Sequence, residues 1–131
     1  MSRITNELES IGDSCLNLFL QIERLEDNLK FSNHMNDEIT KMYNLVIKFT
    51  KWNNLFISDN IKPITKEDLS KSIKYEKEID QLRNELLDSS RSRLSGGSEP
   101  KAELLFMDII KHLEHIGDYS LNISQAFEHI D

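Results

Sequence analysis

The hydrophobic positions of the chain recur every three or four residues in four long segments. In the first segment the steps alternate four, three, four, three, which is the heptad pattern of an amphipathic helix packed against others. Its apolar or small positions are Ile4, Leu8, Ile11, Cys15, Leu18, Ile22, Leu25 and Leu29. The last segment has the same rhythm at Leu105, Ile109, Leu113, Ile116, Ser120, Ile123, Phe127 and Ile130. Both segments are therefore predicted to be helices with one face in a core.

The two middle segments have shorter apolar faces and clear ends. The apolar face of the second segment consists of Ile39, Met42, Val46, Phe49 and Phe56, with Asn53 interrupting it. The apolar face of the third segment consists of Tyr75, Ile79, Leu82 and Leu86. Thr65 is predicted to cap the third helix, with Asp68 at its third helical position. The stretches "SDNIKPIT" and "SGGSEP" separate the segments, and Pro100 suits the first turn of the last helix.

These patterns predict one all-α domain over residues 1–131. The helices are expected at about 3–30, 35–58, 65–94 and 99–130, and no segment shows the alternation of a strand. Short connections between long amphipathic helices favour an antiparallel, up-down-up-down four-helix bundle.

The charge balance and the cysteine content narrow the class of protein. The net charge is −7, so the surface would repel nucleic-acid phosphates, and we expect cations or basic partners and no nucleic acid. The longest apolar runs are far shorter than the ~20 residues of a membrane span, and the N-terminus has no signal-peptide pattern. The single cysteine, Cys15, excludes an intramolecular disulfide and fits a reducing cytosol.

An eleven-residue motif occurs near both ends of the chain. "LESIGDSCLNL" spans residues 8–18 and "LEHIGDYSLNI" spans residues 113–123, with seven identical positions. Any two bundle helices can share the leucines and isoleucines. Each copy, however, also places a glycine in mid-helix, Gly12 or Gly117, where it costs about 1 kcal/mol relative to alanine. We therefore expect a neighbouring helix or a ligand to come close at both glycines.

Both copies of the motif also carry two acidic residues four positions apart, and a third such pair lies in "YEKEIDQL". Residues at this spacing share one helix face, with about 5–6 Å between their Cβ atoms, close enough to bind one hard cation together. The three pairs are Glu9 with Asp13, Glu76 with Asp80, and Glu114 with Asp118.

The spacing around the glycine turn predicts that these pairs meet. Asp80 and Glu114 are each 17 residues from Gly97, and Glu76 and Asp118 are each 21 residues from it. In an antiparallel hairpin the two pairs therefore lie at the same level, and the pair of the first helix is expected nearby. An oxygen-rich site of this kind suits Mg, Ca, Mn or ferric iron better than soft metals.

Acidic pairs also occur on solvent-exposed helix faces that bind nothing, and the residues alone leave both interpretations open. His112 and His115 do not complete the Glu-x-x-His spacing of di-iron bundles, and we interpret His112 as a packed histidine. Arg91 and Arg93 are interpreted as solubilising residues beside the turn. No set of nucleophile, base and orienting residue is present, so we predict a protein that is not an enzyme. The alternative function is a metal-free helical scaffold or oligomerisation module.

Two of these motifs resemble the PhoU domain family. "LEHIGDYSLNI" is similar to the PhoU signature, Leu-Glu-Arg-Ile-Gly-Asp followed by Asn-Ile, and "YEKEIDQL" is similar to the acidic motif on the preceding PhoU helix. "RSRLSGGSEPKAELLFMDIIKHLEHIGD" most resembles the PhoU-like cytoplasmic domain of bacterial sodium/phosphate cotransporters. The chain departs from the family at three positions: the arginine within the motif is Ser10 in one copy and His115 in the other, and the histidine expected before Arg93 is Ser90.

The resemblance implies a PhoU-like fold, a spectrin-like three-helix unit with one extra helix. It implies an accessory, regulatory domain attached to the membrane transporter domain of the same parent protein, at the cytoplasmic side of the inner membrane. Family members carry multinuclear clusters of divalent or iron-type metal ions on the acidic motifs. Carried over to this chain, the ligands are Glu9, Asp13, Glu76, Asp80, Glu114 and Asp118.

The resemblance also bears on association. The first helix resembles the end of a preceding PhoU half, which suggests a fragment of a longer protein. A second copy of the chain is expected to cover this helix in a weak homodimer that divalent cations strengthen.

Overall fold

Four helices make up nearly all of the computed structural model, which describes residues 2–24, 30–58 and 64–128. They are α1 (Ser2–Arg24), α2 (Asn33–Ser58), α3 (Lys66–Ser95) and α4 (Pro100–Glu128). The described residues contain no strand, which confirms the predicted all-α fold. The predicted core positions Leu25, Leu29 and Ile130 lie outside the described residues. None of the described helices has a stretch long and apolar enough to cross a membrane.

α4 is the central helix of the bundle. It packs against α1, α2 and α3, and α2 also packs against α3, whereas within the described ranges α1 packs against α4 alone. The fold is thus a three-helix unit, α2 to α4, with α1 added on one side of α4. The apolar face predicted for α4 is confirmed, since all its described members are buried: Leu105, Ile109, Leu113, Ile116, Ser120, Ile123 and Phe127.

The core of the three-helix unit consists of large side chains from all three helices. Phe49 of α2, Ile79 of α3 and Phe106 of α4 are among the largest fully buried side chains. Each such side chain contributes about 1.5–3 kcal/mol through the apolar surface it removes from water. This core fixes the spacing of α3 and α4, which carry the acidic residues described below.

The buried face of α1 differs from the predicted one. Leu8 is 49% exposed and Cys15 is exposed, whereas Ser14 is buried and Ile11 and Leu18 are half-buried. A helix that packs against a single neighbour buries only a narrow stripe of its surface. α1 has apolar residues both on that stripe and beside it. The prediction was therefore wrong for Leu8 and Cys15, which lie on the solvent side of the stripe.

The ends of α3 follow from local residue chemistry. The Thr65 hydroxyl accepts a hydrogen bond from the Asp68 backbone N–H (3.1 Å), and the Asp68 carboxylate accepts one from the Thr65 N–H (3.3 Å). This capping box confirms the predicted start of the helix. After α3, Gly97 has a φ of +94°, which favours glycine, and α4 begins at Pro100.

Asn53, which interrupts the apolar face of α2, joins a buried polar network. Its Nδ2 donates to the Ser120 carbonyl oxygen (2.6 Å), and its Oδ1 accepts from the Ser124 hydroxyl (2.6 Å). The Ser72 hydroxyl of α3 donates to Ser124 Oγ (2.9 Å), so the network connects α2, α3 and α4. These hydrogen bonds satisfy polar groups whose burial would otherwise be unfavourable.

Arg93, near the end of α3, is not the solubilising residue that we predicted. Its Nε lies 2.7 and 2.9 Å from the two carboxylate oxygens of Glu103, and its Nη1 lies 2.5 Å from Glu38 Oε1. Its guanidinium carbon is 4.7 Å from the ring centroid of Phe106. Because Glu103 is 0% exposed, this ion pair is part of the interior and connects all three helices of the unit.

The two mid-helix glycines have different surroundings. A Cβ atom added at Gly117 would lie 3.0 Å from Ile79 Cδ1, so α3 approaches α4 closely there, as predicted. A Cβ atom added at Gly12 would have no heavy atom within 4 Å, so the predicted close neighbour is absent at Gly12 among the described residues. α3 thus packs directly over Gly117 in the second copy of the repeated motif, whereas no described residue packs over Gly12 in the first copy.

Paired Gly→Ala substitutions measure this difference. Gly12→Ala is expected to stabilise the monomer by up to about 1 kcal/mol, because alanine is the better helix former and the added methyl meets no described residue of the same copy. Gly117→Ala is expected to be at least about 1 kcal/mol less favourable than Gly12→Ala, because the methyl must displace the buried Ile79. Urea unfolding of both variants gives the comparison. Equal stabilisation by the two substitutions would contradict the close approach at Gly117.

Candidate metal site

Three carboxylates from α3 and α4 converge beside Gly117. Glu76 and Asp80 lie one turn apart on α3, and Asp118 follows Gly117 on α4. One oxygen from each of the three carboxylates lies within 4.8 Å of the other two, and all three residues are half-buried. Since Gly117 admits Ile79 of α3, the glycine brings the two helices together at the level of these carboxylates. This accounts for a glycine directly before Asp118.

Asp80 Oδ1 is a buried acceptor without a hydrogen bond from any described residue. The nearest cationic atom is Arg83 Nη1 at 3.9 Å, which is too far for a hydrogen bond. An unsatisfied buried oxygen of this kind costs about 1–3 kcal/mol. A cation held between Asp80, Glu76 and Asp118 would remove that cost, so the donor set fits a hard metal ion.

Mutual proximity and burial raise the pKa values of these carboxyl groups. The hydrogen bond that Glu76 can form with Asp80 only when one of the two carboxyl groups is protonated, then burial, then the charges of Asp80 and Asp118 raise the pKa of Glu76 from 4.5 to about 7. Burial, followed by the charge of Asp118, raises the pKa of Glu114 to about 7. The pKa of Asp118 is also raised, mainly by burial. Without a cation, the cluster therefore holds protons near neutral pH.

The raised pKa values predict how the stability of the metal-free protein depends on pH. A carboxyl group with a raised pKa in the folded state binds its proton more tightly there than in the unfolded chain. For Glu76 the resulting stabilisation is complete below about 4.5 and is lost as the pH rises through about 7. Urea unfolding in chelator should therefore show decreasing stability over this window.

Two Glu→Gln variants test whether Glu76 causes this decrease in stability. Glu76→Gln should flatten the decrease, whereas Glu78→Gln, at an exposed position on the same helix, should leave it unchanged. A wild-type stability that stays constant or rises between pH 4.5 and about 7 would contradict the raised pKa of Glu76.

Arg83 neutralises part of the cluster. Its Nη1 lies 2.7 Å from Glu114 Oε1, so Glu114 is buried in an ion pair and lies outside the three-carboxylate group. Glu114 therefore stays a predicted ligand, and it would have to exchange Arg83 for the cation. Arg83 was not among the predicted site residues, although its position three residues after Asp80 places it on the same face of α3.

The acidic pair of α1 lies apart from this cluster. Glu9 and Asp13 are both exposed, and neither belongs to the group of carboxylates that come together. α1 packs toward the core through Ile11, Ser14 and Leu18, which are buried or half-buried, so the predicted meeting of all three acidic pairs is not seen among the described residues. The structure brings Glu76 and Asp80 of α3 together with Asp118 of α4 and leaves Glu9 and Asp13 of α1 exposed.

The histidines of α4 are also outside the cluster. His112 is half-buried, and burial followed by the charge of His115 lowers its pKa. His115 is exposed, with Nε2 3.8 Å from Glu114 Oε2. Among the described residues, the candidate ligands of a metal ion are therefore all carboxylate oxygens.

Comparison with known proteins identifies the family. The PhoU domain matches residues 32–127, which is most of the chain. The chain belongs to the PhoU domain family. No curated protein and no solved structure matches it. The matched segment contains the three-helix unit α2 to α4, except for Glu128 at its end, and the whole carboxylate cluster of this PhoU domain, whereas α1, with Glu9 and Asp13, lies outside the match.

Proposed function

We propose that this PhoU domain is a regulatory accessory domain of a sodium-dependent phosphate transporter and that it binds a hard cation between α3 and α4. Membership of the PhoU family and the resemblance of the turn and the final helix to the sodium/phosphate cotransporter domains support the first part. One observation carries the second part: Glu76, Asp80 and Asp118 converge around a buried acceptor that lacks a hydrogen-bond donor among the described residues.

The ligand set defines the class of cation. Carboxylate oxygens without thiolate or imidazole nitrogen suit Mg, Ca, Mn or ferric iron. The cation would replace the protons that the raised pKa values of Glu76 and Asp118 favour in the cluster. Binding therefore releases protons and becomes stronger as the pH rises.

Regulation follows from the position of the site. A cation between Glu76 and Asp80 on α3 and Asp118 on α4 ties the two helices together where Gly117 admits Ile79. A ligand that binds only the packed state stabilises that state by mass action. This domain would lie at the cytoplasmic side of the inner membrane, next to the transporter domain of the parent protein. The cation-dependent packing of α3 against α4 would then change the activity of that transporter domain. The domain itself performs no catalysis.

Two measurements test this function. Elemental analysis of protein purified without chelator should find a hard cation bound in stoichiometric amount; protein that stays metal-free after dialysis against each cation would favour the metal-free scaffold. For the transporter role, phosphate uptake by cells producing the full parent protein is expected to change with Asp118→Asn and not with Asp13→Asn, at an exposed site. Equal uptake in both variants would contradict regulation through the cluster.

We also propose a second function, homodimerisation, which the apolar surface of α1 favours. Leu8, Gly12, Cys15 and Phe19 form an exposed stripe with heptad spacing. In an antiparallel pair of α1 helices related by a two-fold axis, Phe19 would face Leu8 of the second copy and Gly12 would face its Cys15. The small residues in the middle allow close approach, and the large residues at the ends supply apolar contact, so the stripe complements itself.

The dimer prediction has a matched control. Sedimentation velocity should show a reversible dimer that Phe19→Ser abolishes, whereas Leu104→Ser on α4 should leave it intact, although the two side chains are 57% and 58% exposed. Divalent cations should strengthen the dimer and chelator weaken it, because Glu9 and Asp13 give α1 an acidic surface that repels its own copy. A monomer under every condition would contradict the proposal.

A further inference from the structure

An open groove lies between α2 and α3, lined by residues that the acidic cluster does not use. Its volume is about 390 Å³, within the usual range of small-molecule sites. Two lining residues come from α2 and four from α3: Lys48, Trp52, Lys71, Lys74, Tyr75 and Glu78. The lining does not include the acidic residues Glu76, Asp80, Glu114 and Asp118, so the groove and the metal site are separate surfaces of the three-helix unit.

The rim of the groove is positively charged in a protein whose net charge is −7. It has three lysines and one carboxylate, and within the described part of the chain none of these lysines forms a salt bridge. Lys71 and Lys74 lie three residues apart on one face of α3, where like charges repel. Lys48 faces them from α2. An anion in the groove would relieve this repulsion and bridge the two helices.

The aromatic residues of the groove are supported by the core. The Trp52 and Tyr75 rings are half-buried, with centroids 6.0 Å apart. Both rest on Phe49, which is fully buried: its ring is stacked on Tyr75 at 5.1 Å and lies 6.5 Å from Trp52. Supported aromatic side chains of this kind offer a planar, apolar surface to a ligand ring, and such stacking contributes about 1–3 kcal/mol per base in proteins that bind single-stranded nucleic acids.

We infer that this groove binds an anion in which two or more negative charges are joined to a planar ring, the chemistry of a nucleoside diphosphate. Lys48, Lys71 and Lys74 contact the phosphates from both helices, and Trp52 and Tyr75 provide the surface for the ring. Lysine binds phosphate as a point charge, which suits a shallow groove without fixed geometry. The inference rests on α2 and α3 and is independent of the proposed metal site.

The protein contains a single tryptophan, Trp52, so its fluorescence reports on the groove directly. ADP is titrated in chelator, which keeps cations from the acidic cluster, and parallel titrations use pyrophosphate for the charges alone and adenosine for the ring alone. ADP should change the Trp52 emission saturably and bind at least about tenfold more tightly than either, because both parts of the ligand contribute. Equal affinity for pyrophosphate and ADP, or no saturable change with ADP, would overturn the inference.

Charge variants give the second arm of the test. Lys71→Gln and Lys74→Gln are each expected to weaken ADP binding about tenfold, the effect of losing one hydrogen bond to a charged group. Both positions are exposed, so the fold should tolerate the substitutions. Lys77→Gln changes an exposed lysine of the same helix that does not line the groove, and it should leave ADP binding unchanged. An equal loss of ADP affinity in Lys77→Gln would show that binding arises from general electrostatic attraction, and it would overturn the proposed site.

Discussion

Replacing Arg93 with leucine is expected to lower the free energy of unfolding by about 3–5 kcal/mol, because the substitution leaves a buried charge without its partner. Glu103, which is fully buried, loses both hydrogen bonds from Arg93 Nε, and Glu38 loses its bond from Nη1. The contact of the guanidinium with the Phe106 ring is lost as well. Since these groups belong to α2, α3 and α4, the whole three-helix unit should become less stable.

Urea unfolding with two further variants isolates the buried charge as the cause. Arg91→Leu removes an exposed arginine whose one salt bridge within the described residues is to the exposed Asp88 at 2.7 Å, and it should cost less than about 1 kcal/mol. The double variant Arg93→Leu, Glu103→Leu should recover part of the loss, because it also removes the unpaired carboxylate. A small cost for Arg93→Leu, or no recovery in the double variant, would contradict the role assigned to this ion pair.

The helices and most of the core could be predicted because their signals are local. The spacing of apolar residues along α4 determines the face it buries, and that face is buried as predicted. The start of α3 depends on Thr65 and Asp68, three residues apart, so the capping box was readable from the sequence. The prediction was wrong on α1 because that helix has two adjacent apolar stripes. Periodicity shows that both are apolar, but only tertiary packing decides which of them contacts α4.

The candidate site was predictable only within the α3–α4 hairpin. A short turn at Gly97 fixes the register of these two helices, so counting residues from the turn placed Glu76 and Asp80 level with Asp118. No short turn connects α1 with α4, and the same counting therefore failed for the α1 pair. The ion pair of Arg93 was missed because its partners Glu103 and Glu38 lie 10 and 55 residues away in sequence.

Addition of the cognate cation to the metal-free protein is expected to stabilise it by about 2.7 kcal/mol when the free cation is at 100 times its dissociation constant. The gain arises because the folded protein presents Glu76, Asp80 and Asp118 together, whereas the unfolded chain does not. Stabilisation should be larger at higher pH, where the cation competes with fewer protons for Glu76, whose pKa is raised to about 7, and for Asp118, whose pKa is also raised.

The most direct test is thermal unfolding with and without each hard cation, in the wild type, Asp118→Asn and Asp13→Asn. Asp13 is the counterpart of Asp118 in the repeated motif, but it is exposed and lies outside the cluster, so it controls for the loss of one acidic residue. The site between α3 and α4 predicts that a cation raises the melting temperature of the wild type and of Asp13→Asn, and that Asp118→Asn loses this response. A wild-type melting temperature that does not respond to Mg, Ca, Mn or iron would contradict the site, and so would an undiminished response in Asp118→Asn.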